Sequence, residues 1–466
     1  MKKILKNIFS LLVLIVIGFA VYEVIHLDML PSKYLTIFLV GEGVLFLLGF
    51  FLYNRKHVFL VILGIILYLV SIIGNGFGYY YLSKTNRYID HNFAVETYKV
   101  TTHYYVLKNV NDPVASMEEL SSDTTIYYYK YGRSMEIALA KLGTYSYTAS
   151  DNISNLLIDL KSQYHYVFLP SATYEHTLES SNFLNREDYA ILYEMDIEEE
   201  FPKSKEIPTA FSVYINAYDY SGIHSDFNMI VTVNTKTHQV VFTSIPRDYL
   251  IDVPAYHIQD TLTYMGYMDP KVTKDALAEF FDIPIQYQVS VNAKSLVTVV
   301  DTVGGIDFCS NYDFYTSHDM NVGSYADKGE KLHVTKGCRS YNGVEALAIA
   351  RERKNIPGGD RARQENCRKI IISIVKKLAS TTTLTNYDEI LTSFDGLYIT
   401  DMNKETITNL VKEGLKDSNF EVIEQSVDGK DLGSVSLEVG SAWVVEPDME
   451  TVKAASNKIK EVTKEK

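Results

Sequence analysis

Three apolar runs fill most of residues 1–83, and they constrain this chain more than anything that follows. They read "LKNIFSLLVLIVIGFAVYEVIHL", "YLTIFLVGEGVLFLLGFFLY" and "VFLVILGIILYLVSIIGNGFGYYYL". Each is near the roughly 20 residues that a helix needs to cross a hydrocarbon layer. Three in succession predict a three-helix transmembrane region over residues 1–83. Lys2, Lys3 and Lys6 precede the first run and "NRKH" separates the second from the third, whereas "DMLPSK" carries less positive charge. The positive-inside rule then puts the N-terminus and "NRKH" in the cytoplasm and everything after about residue 84 outside. A cleaved signal peptide fits less well, because there are three runs and no clear small-residue cleavage site. The expected location is the cell membrane, multi-pass, with the C-terminal bulk extracytoplasmic. Glu42 stands inside the second run between Gly41 and Gly43. An acid at that depth is a functional candidate, or it faces a neighbouring helix.

With 466 residues the chain exceeds one compact core, so two or three domains are expected. A net charge of −14 argues against a general nucleic-acid partner, which needs a cationic surface to displace counterions. Residues 90–200 alternate between strand and helix patterns. "HYYVLKN" reads as a strand, "GRSMEIALAKLG" and "NISNLLIDLKSQ" as helices, and "YHYVFLPSATYEHTLES" as strand, loop and helix. This segment is expected to be an accessory α/β lobe. The acidic, proline-containing "DIEEEFPKSKEIP" (196–208) reads as a linker, because like charges beside prolines oppose packing. A second α/β domain is expected over 205–466. There "AFSVYINAY" is a strand, "NMIVTVNTKTHQVVFTSIP" a hairpin and "QYQVSVN" another strand. "KDALAEFFD", "AKSLVTVVDTVGG", "GVEALAIARERK" and "RARQENCRKIIISIVKKLAS" carry helical stripes. Helix layers enclosing a mixed sheet follow.

Four places in this domain carry charge that a core does not require. Asp219 ends one strand and Asp226 follows a short loop, "YSGIHSD". Arg247 and Asp248 follow Pro246, which ends the hairpin's second strand because it has no amide hydrogen. Arg351 and Arg353 close one helix, and "GGDRAR" opens the next with Arg361 and Arg363. Converging guanidinium groups fork onto phosphate oxygens, and a helix N-terminus adds backbone donors. Paired carboxylates such as Asp219 and Asp226 suit a hard divalent ion. Solvated helix ends and surface ion pairs explain each charge taken singly, and both explanations stand at this point. There is no GxxxxGK[ST] loop, HExxH or GxSxG. Of the three cysteines, Cys309 and Cys338 flank a strand-like and a helix-like segment, so a disulfide between them is expected. No histidine shares a zinc-site spacing with them.

Taken together, "SDFNMIVTVN", "TSIPRDY", "VDTVGGIDF", "GVEALAIARERK" and "GGDRARQEN" resemble the LytR-CpsA-Psr (LCP) family, in particular its capsule-associated CpsA branch. The tail "NYDEILTSFDGLYITDMNKETITNLVKEGLK" is similar to that branch too. The resemblance implies a three-layer α-β-α catalytic domain with a mixed central sheet. The implied activity is a phosphotransferase that moves a capsular polysaccharide or teichoic-acid-type chain from undecaprenyl pyrophosphate to a peptidoglycan hydroxyl. It implies Mg²⁺ (or Mn²⁺) at Asp219 and Asp226, and pyrophosphate on Arg247, Arg351, Arg353 and Arg361. Catalysis would fall to Arg247, Asp226 and Asp248, and the lipid tail to an apolar tunnel beside the sheet. Capsule assembly proteins are implied partners, and a non-catalytic regulator or scaffold of that machinery is the competing expectation. Several positions depart from the family pattern. His224 stands in place of an arginine, the loop from Asp219 to Asp226 is short, Thr261 replaces a lysine, and Cys367 with Arg368 replaces a glutamine pair.

Overall fold

The structure, a computed structural model, describes residues 2–464 apart from 131–133, 163–164, 182–183, 205–207, 220–223, 256–257, 269, 321–329, 379–397, 417–419 and 438–439. The "NYDEILTSFDG" part of the tail lies outside the described residues.

The apolar runs form helices α1 (Lys2–Leu27), α2 (Ser32–Tyr53) and α3 (Val58–Phe93), each long and apolar enough to cross a membrane. Glycine sets their spacing: a Cβ on Gly64 would sit 2.5 Å from the Tyr53 nitrogen. Glu42 accepts a hydrogen bond from Asn75 Nδ2 of α3 at 3.1 Å, so it faces a neighbouring helix. Helix α3 does not stop near residue 83. It continues as one 36-residue helix to Phe93, because "SKTNRYIDHNF" lacks any Gly or Pro to end it.

The next unit is a five-stranded sheet of β1 (Thr97–Asn109), β2 (Thr125–Tyr129), β3 (Ser146–Ser150), β4 (Tyr166–Pro170) and β5 (Tyr189–Pro202), in the order β3-β2-β4-β1-β5. Helices α4 (Met135–Leu142), α5 (Ile153–Ser162) and α6 (Ser171–Ser180) complete it. Strand β4 passes directly into α6, without the expected intervening loop. The expected linker is also corrected, since its acidic half is the end of β5, paired antiparallel with all of β1. Met195 and Ile197 are buried while Asp196, Glu198 and Glu200 face water. Lys99 offsets part of that charge, 3.3 Å from Glu198 and 3.8 Å from Glu200. A charged edge strand of this kind resists pairing with another chain.

The C-terminal domain is built on a six-stranded mixed sheet. Its elements in chain order begin with β6 (Ala210–Tyr218), β7 (Ser225–Asn234), β8 (Gln239–Ile245), β9 (Leu250–Val253), β10 (Ile258–Thr261), α7 (Pro270–Phe281), β11 (Tyr287–Asn292) and α8 (Ala293–Thr302). There follow β12 (Ile306–Ser310), β13 (Phe314–Asp319), β14 (Lys331–Val334), β15 (Gly337–Tyr341), α9 (Gly343–Arg351) and α10 (Gly359–Leu378). The chain closes with β16 (Tyr398–Thr400), α11 (Lys404–Lys416), β17 (Glu421–Ser426), β18 (Gly429–Leu437), β19 (Gly440–Pro447) and α12 (Met449–Thr463). The sheet order is β16-β11-β6-β7-β8-β17, parallel at β11/β6 and β8/β17 and antiparallel elsewhere. Period-two alternation divides it. Phe227, Met229 and Val231 pack with Ile372 of α10, while Tyr214, Ile230 and Ile245 join α7 and α12 on the other face. The result is three layers.

The two units share a core. One buried cluster runs from Leu107, Ile153, Leu157 and Tyr174 of the first unit into Tyr214, Ile230 and Leu277 of the second. Helix α6 packs on β19. The connection after β5 is pinned as well. Lys203 is buried and donates to the Asn92 carbonyl at 2.6 Å, and the Ser204 amide donates to the Asp401 carbonyl at 2.9 Å.

Cys309 and Cys338 are cross-strand partners on β12 and β15 and form a disulfide.

Candidate functional site

Pro246 ends β8, and the chain turns so that the Tyr249 amide donates to the Pro246 carbonyl at 3.2 Å. The turn is held from both sides. Thr263 N donates to the Arg247 carbonyl at 2.7 Å, and Val445 N donates to the Asp248 carbonyl at 2.7 Å. With those backbone groups engaged, the Arg247 and Asp248 side chains enter a cavity of about 700 Å³.

Arg247 donates from Nη1 to Asp226 Oδ1, and its Nε lies 3.5 Å from Asp248 Oδ1 and 3.7 Å from Asp360 Oδ1. Arg363, with a side chain only 7 % exposed, reaches two of the same carboxylates, Asp226 and Asp360. Its Nη2 is 2.7 Å from Asp360 Oδ1 and donates to the Asp226 carbonyl at 2.9 Å, while Nη1 lies 3.8 Å from Asp226 Oδ2. Two guanidinium groups are thus held by three carboxylates before any ligand arrives. Burial works against the charge on Arg247, but Asp226, Asp248 and Asp360 outweigh it and raise its pKa. For Asp248, burial and the nearby Asp360 raise the pKa despite Arg247.

Asp219 and Asp226 both line the cavity. Their backbone amides donate to one carbonyl, that of His224, at 3.0 and 3.1 Å. His224 Nδ1 lies 3.1 Å from Asp219 Oδ2, and its ring meets Tyr264 edge-on at 5.4 Å. Among the described residues no three His, Cys, Asp or Glu side chains cluster as a metal site. The donor chemistry still fits a magnesium-type ion, which takes one or two carboxylates and completes its shell with water and substrate phosphate.

Arg351 and Arg353 also line the cavity. Glu352 between them is fully buried and accepts from the backbone amides of Ser317, Lys354 and Asn355, the last two at 2.7 and 2.8 Å. That buried carboxylate fixes the chain after α9, from which both flanking arginines reach the cavity lining. Gly358 and Gly359 have φ of +95° and +57°. They are needed for the left-handed turn into α10.

The structure does not bring Arg361 into the cavity with Arg247, Arg351 and Arg353. It is 58 % exposed, lies outside the cavity lining, and bonds the Gly429 carbonyl and Asp428, both at 2.7 Å. Residues two apart on a helix point about 200° apart, so Arg361 and Arg363 cannot share a face. Asp360 lies three residues before Arg363 and does share one, which is the spacing signal that distinguishes the two arginines. Asp360, Glu352, Tyr264 and Trp443 gave no sequence signal of their own. Of the departures from the family pattern, Thr261 is buried on β10, and Arg368 turns to Glu424 at 2.8 Å and Ser244 at 3.1 Å. Cys367 lies under the cavity, where burial pushes its thiol up to about 12.

Most of the remaining lining is apolar, with Thr263 and Asn292 among the exceptions. Ile215 and Val291 come from the sheet, and Leu296, Leu347, Ile370 and Ile371 from α8, α9 and α10. Charge gathers where β6 and β8 end, and apolar surface extends between sheet and helices. Such a cavity suits an anion joined to a long apolar group.

The three-layer sheet, with this arginine–carboxylate cavity at its strand ends, defines a class of fold and site. The LytR_cpsA_psr family model matches residues 216–461, more than half of the chain, and the protein belongs to that family. The curated relatives include the polyisoprenyl-teichoic acid–peptidoglycan teichoic acid transferases TagU of Enterococcus faecalis and Bacillus licheniformis. The first is 32 % identical over 38 % of this chain and 55 % of the relative, and the second 29 % identical over 44 % and 63 %. The chain thus spans little more than half of these relatives' length. Among solved structures, B. subtilis TagU is 25 % identical with a TM-score of 0.42, covering 55 % of this chain and 98 % of that one. A structure of TagT bound to LI-WTA is 20 % identical with a TM-score of 0.44, covering 56 % of this chain and 96 % of that one.

Proposed function

We propose that this protein is a membrane-anchored glycopolymer transferase with its C-terminal bulk outside the cytoplasm. It would move a capsular polysaccharide or teichoic-acid-type chain from polyprenyl pyrophosphate to a peptidoglycan hydroxyl. The observation that carries this reading is the cavity's two-part lining: Arg247 from the turn after β8 with Arg351, Arg353 and Arg363 from the α9–α10 region, and an apolar wall beyond them. A lipid-linked diphosphate has the matching two parts. Family membership and the relatives' names support the same class of reaction.

The acceptor hydroxyl attacks the phosphorus on the glycopolymer side, a new P–O bond forms, and the bond to polyprenyl phosphate breaks. Arg351 and Arg353 would hold the diphosphate, and Arg247 and Arg363 would meet charge developing on its oxygens. Because the carboxylates already orient Arg247 and Arg363, little reorganisation accompanies the reaction. The hydroxyl proton would pass to a carboxylate in the cavity, Asp226 or Asp248. Mg²⁺ or Mn²⁺ held by Asp219 and Asp226 would supply Lewis-acid stabilisation of phosphate charge.

The test uses purified full-length protein in detergent with a short polyprenyl-pyrophosphate-linked saccharide and a peptidoglycan fragment. Release of polyprenyl phosphate is expected, together with its loss in Arg247→Ala. Undiminished release in that variant would overturn the site. Intact polymer attachment in cells carrying it would favour a scaffold.

A further inference from the structure

We propose that Trp443 is a stacking platform for a pyranose ring at the mouth of the cavity, beside the phosphate clamp. The inference rests on the glycopolymer reading above and adds the part of the site that handles sugar.

Trp443 is the chain's only tryptophan and is 58 % exposed, yet it lines the same cavity as Arg247, Arg351 and Arg353. It sits on β19 opposite Ser434, between Ala442 and Val444, which are 2 % and 0 % exposed. The strand therefore anchors its inner face and leaves the indole outside.

That indole is not carried on a free hairpin. Val445, two residues on, donates its amide to the Asp248 carbonyl at 2.7 Å, and Tyr249 bridges to Val445 in parallel. At the hairpin's base Arg361 bonds Gly429 and Asp428, tying the hairpin to α10. A Cβ on Gly429 would sit 2.4 Å from the Glu446 carbonyl, so the two strands close tightly there. The hairpin that carries the ring is thus tied to the 246–249 turn, which holds Arg247, and to α10, which holds Arg363. Arg361, displaced from the phosphate site, becomes a positioning residue for this one.

An apolar face ringed by hydrogen-bonding groups is the chemistry that recognises a pyranose. Its axial C–H bonds lie on the aromatic ring while its hydroxyls find carboxylates such as Asp226 and Asp248. An isoprenoid is the poorer occupant, because it gains most where water is excluded, and the enclosed wall by Ile370 and Leu296 offers that. A membrane-interface role fits poorly too. The membrane helices meet the domain at β16, an edge of the large sheet, where Phe93 stacks on Tyr398, whereas β19 pairs with β18 and bonds the turn after β8.

The sugar can be the donor's or the acceptor's, and the sole tryptophan makes the test direct. Full-length protein in detergent is excited at a wavelength selective for tryptophan. It is titrated separately with an N-acetylglucosamine tetrasaccharide (acceptor type), N-acetylglucosamine 1-phosphate (donor type) and farnesyl phosphate. A saturable emission change with either sugar is expected, and the responding ligand identifies the source. Trp443→Ala should raise the KM for the saccharide about three- to tenfold with kcat little changed, and Trp443→Phe should restore most of the loss. A response to farnesyl phosphate alone, or none with wild-type kinetics in Trp443→Ala, overturns the proposal. Because the titration needs no turnover, a sugar response with no transferase activity would overturn the reaction and leave the platform standing.

Discussion

Arg361 and Arg363 stand two residues apart on one helix and serve different neighbourhoods. Arg363 is buried against Asp226 and Asp360, whereas Arg361 reaches out to Asp428 and Gly429. Removing each should therefore have different results. Arg363→Ala is expected to slow polyprenyl phosphate release by about 10²-fold or more, in the range for loss of one charge-stabilising donor. Arg361→Ala should leave release within about threefold of wild type, as for a pair whose worth is limited by exposure. Single-turnover release assays on both variants decide the matter, and equal losses would restore the simpler sequence assignment.

Arg247→Lys should fail nearly as badly as Arg247→Ala. The guanidinium meets Asp226 through Nη1 and lies near Asp248 and Asp360 through Nε. An ammonium cannot cover those directions at once. Release should fall by at least about 10²-fold, while a circular dichroism spectrum reports whether the fold is kept.

Asp248 has a raised pKa, so its effect on stability has a definite sign. Below about pH 3.9, the ordinary aspartate value, it is protonated both folded and unfolded and carries no penalty. As pH rises through its folded pKa, ionising the buried carboxyl costs stability. Asp248→Asn should therefore gain in Tm relative to wild type between pH 4 and pH 7. A difference that does not change with pH would mean that Asp248 does not cause it.

The Cys309–Cys338 bridge closes a separation of 29 residues and ties β12 to the strand leading into α9, which ends in Arg351. Replacing both with serine should cost about 3–4 kcal/mol on the loop-closure model. Thermal unfolding under oxidising and reducing conditions checks it, since the variant should lose the wild type's sensitivity to reductant.

Asp401 pairs with Lys274 at 2.6 Å, with side chains 6 % and 10 % exposed, and also accepts the Gln288 amide at 2.7 Å. Asp401→Ala leaves an ammonium buried without its counterion, at a cost of about 3–5 kcal/mol. Replacing both, as Lys274→Met with Asp401→Asn, should recover much of it in denaturant unfolding.

Much of this architecture was legible because its signals are periodic. β7 and β8 alternate with period two, α7 and α10 carry helical stripes, and Pro246 marks the end of β8. What is not legible has a physical cause, since charge along a sequence carries no geometry. The acids of β5 looked like a linker because their alternation with Met195 and Ile197 was hidden by their number. Arg361 looked equivalent to Arg363 because composition ignores which way a helix turns. The common core of the two units could not be read locally, since Leu107 and Tyr214 meet only through tertiary packing.

The last turn of α3 has a mechanical consequence. Phe93 stacks on Tyr398 at 6.0 Å, Lys404 grips Asp90 at 2.7 Å, and Lys412 reaches Asp28 in the turn after α1 at 2.8 Å. A helix of 36 residues is about 54 Å long, and roughly 30 Å of that spans hydrocarbon. The domain is thus bracketed at a set standoff from the bilayer. The proposed lipid-linked donor would then meet the cavity by a two-dimensional search at constant height.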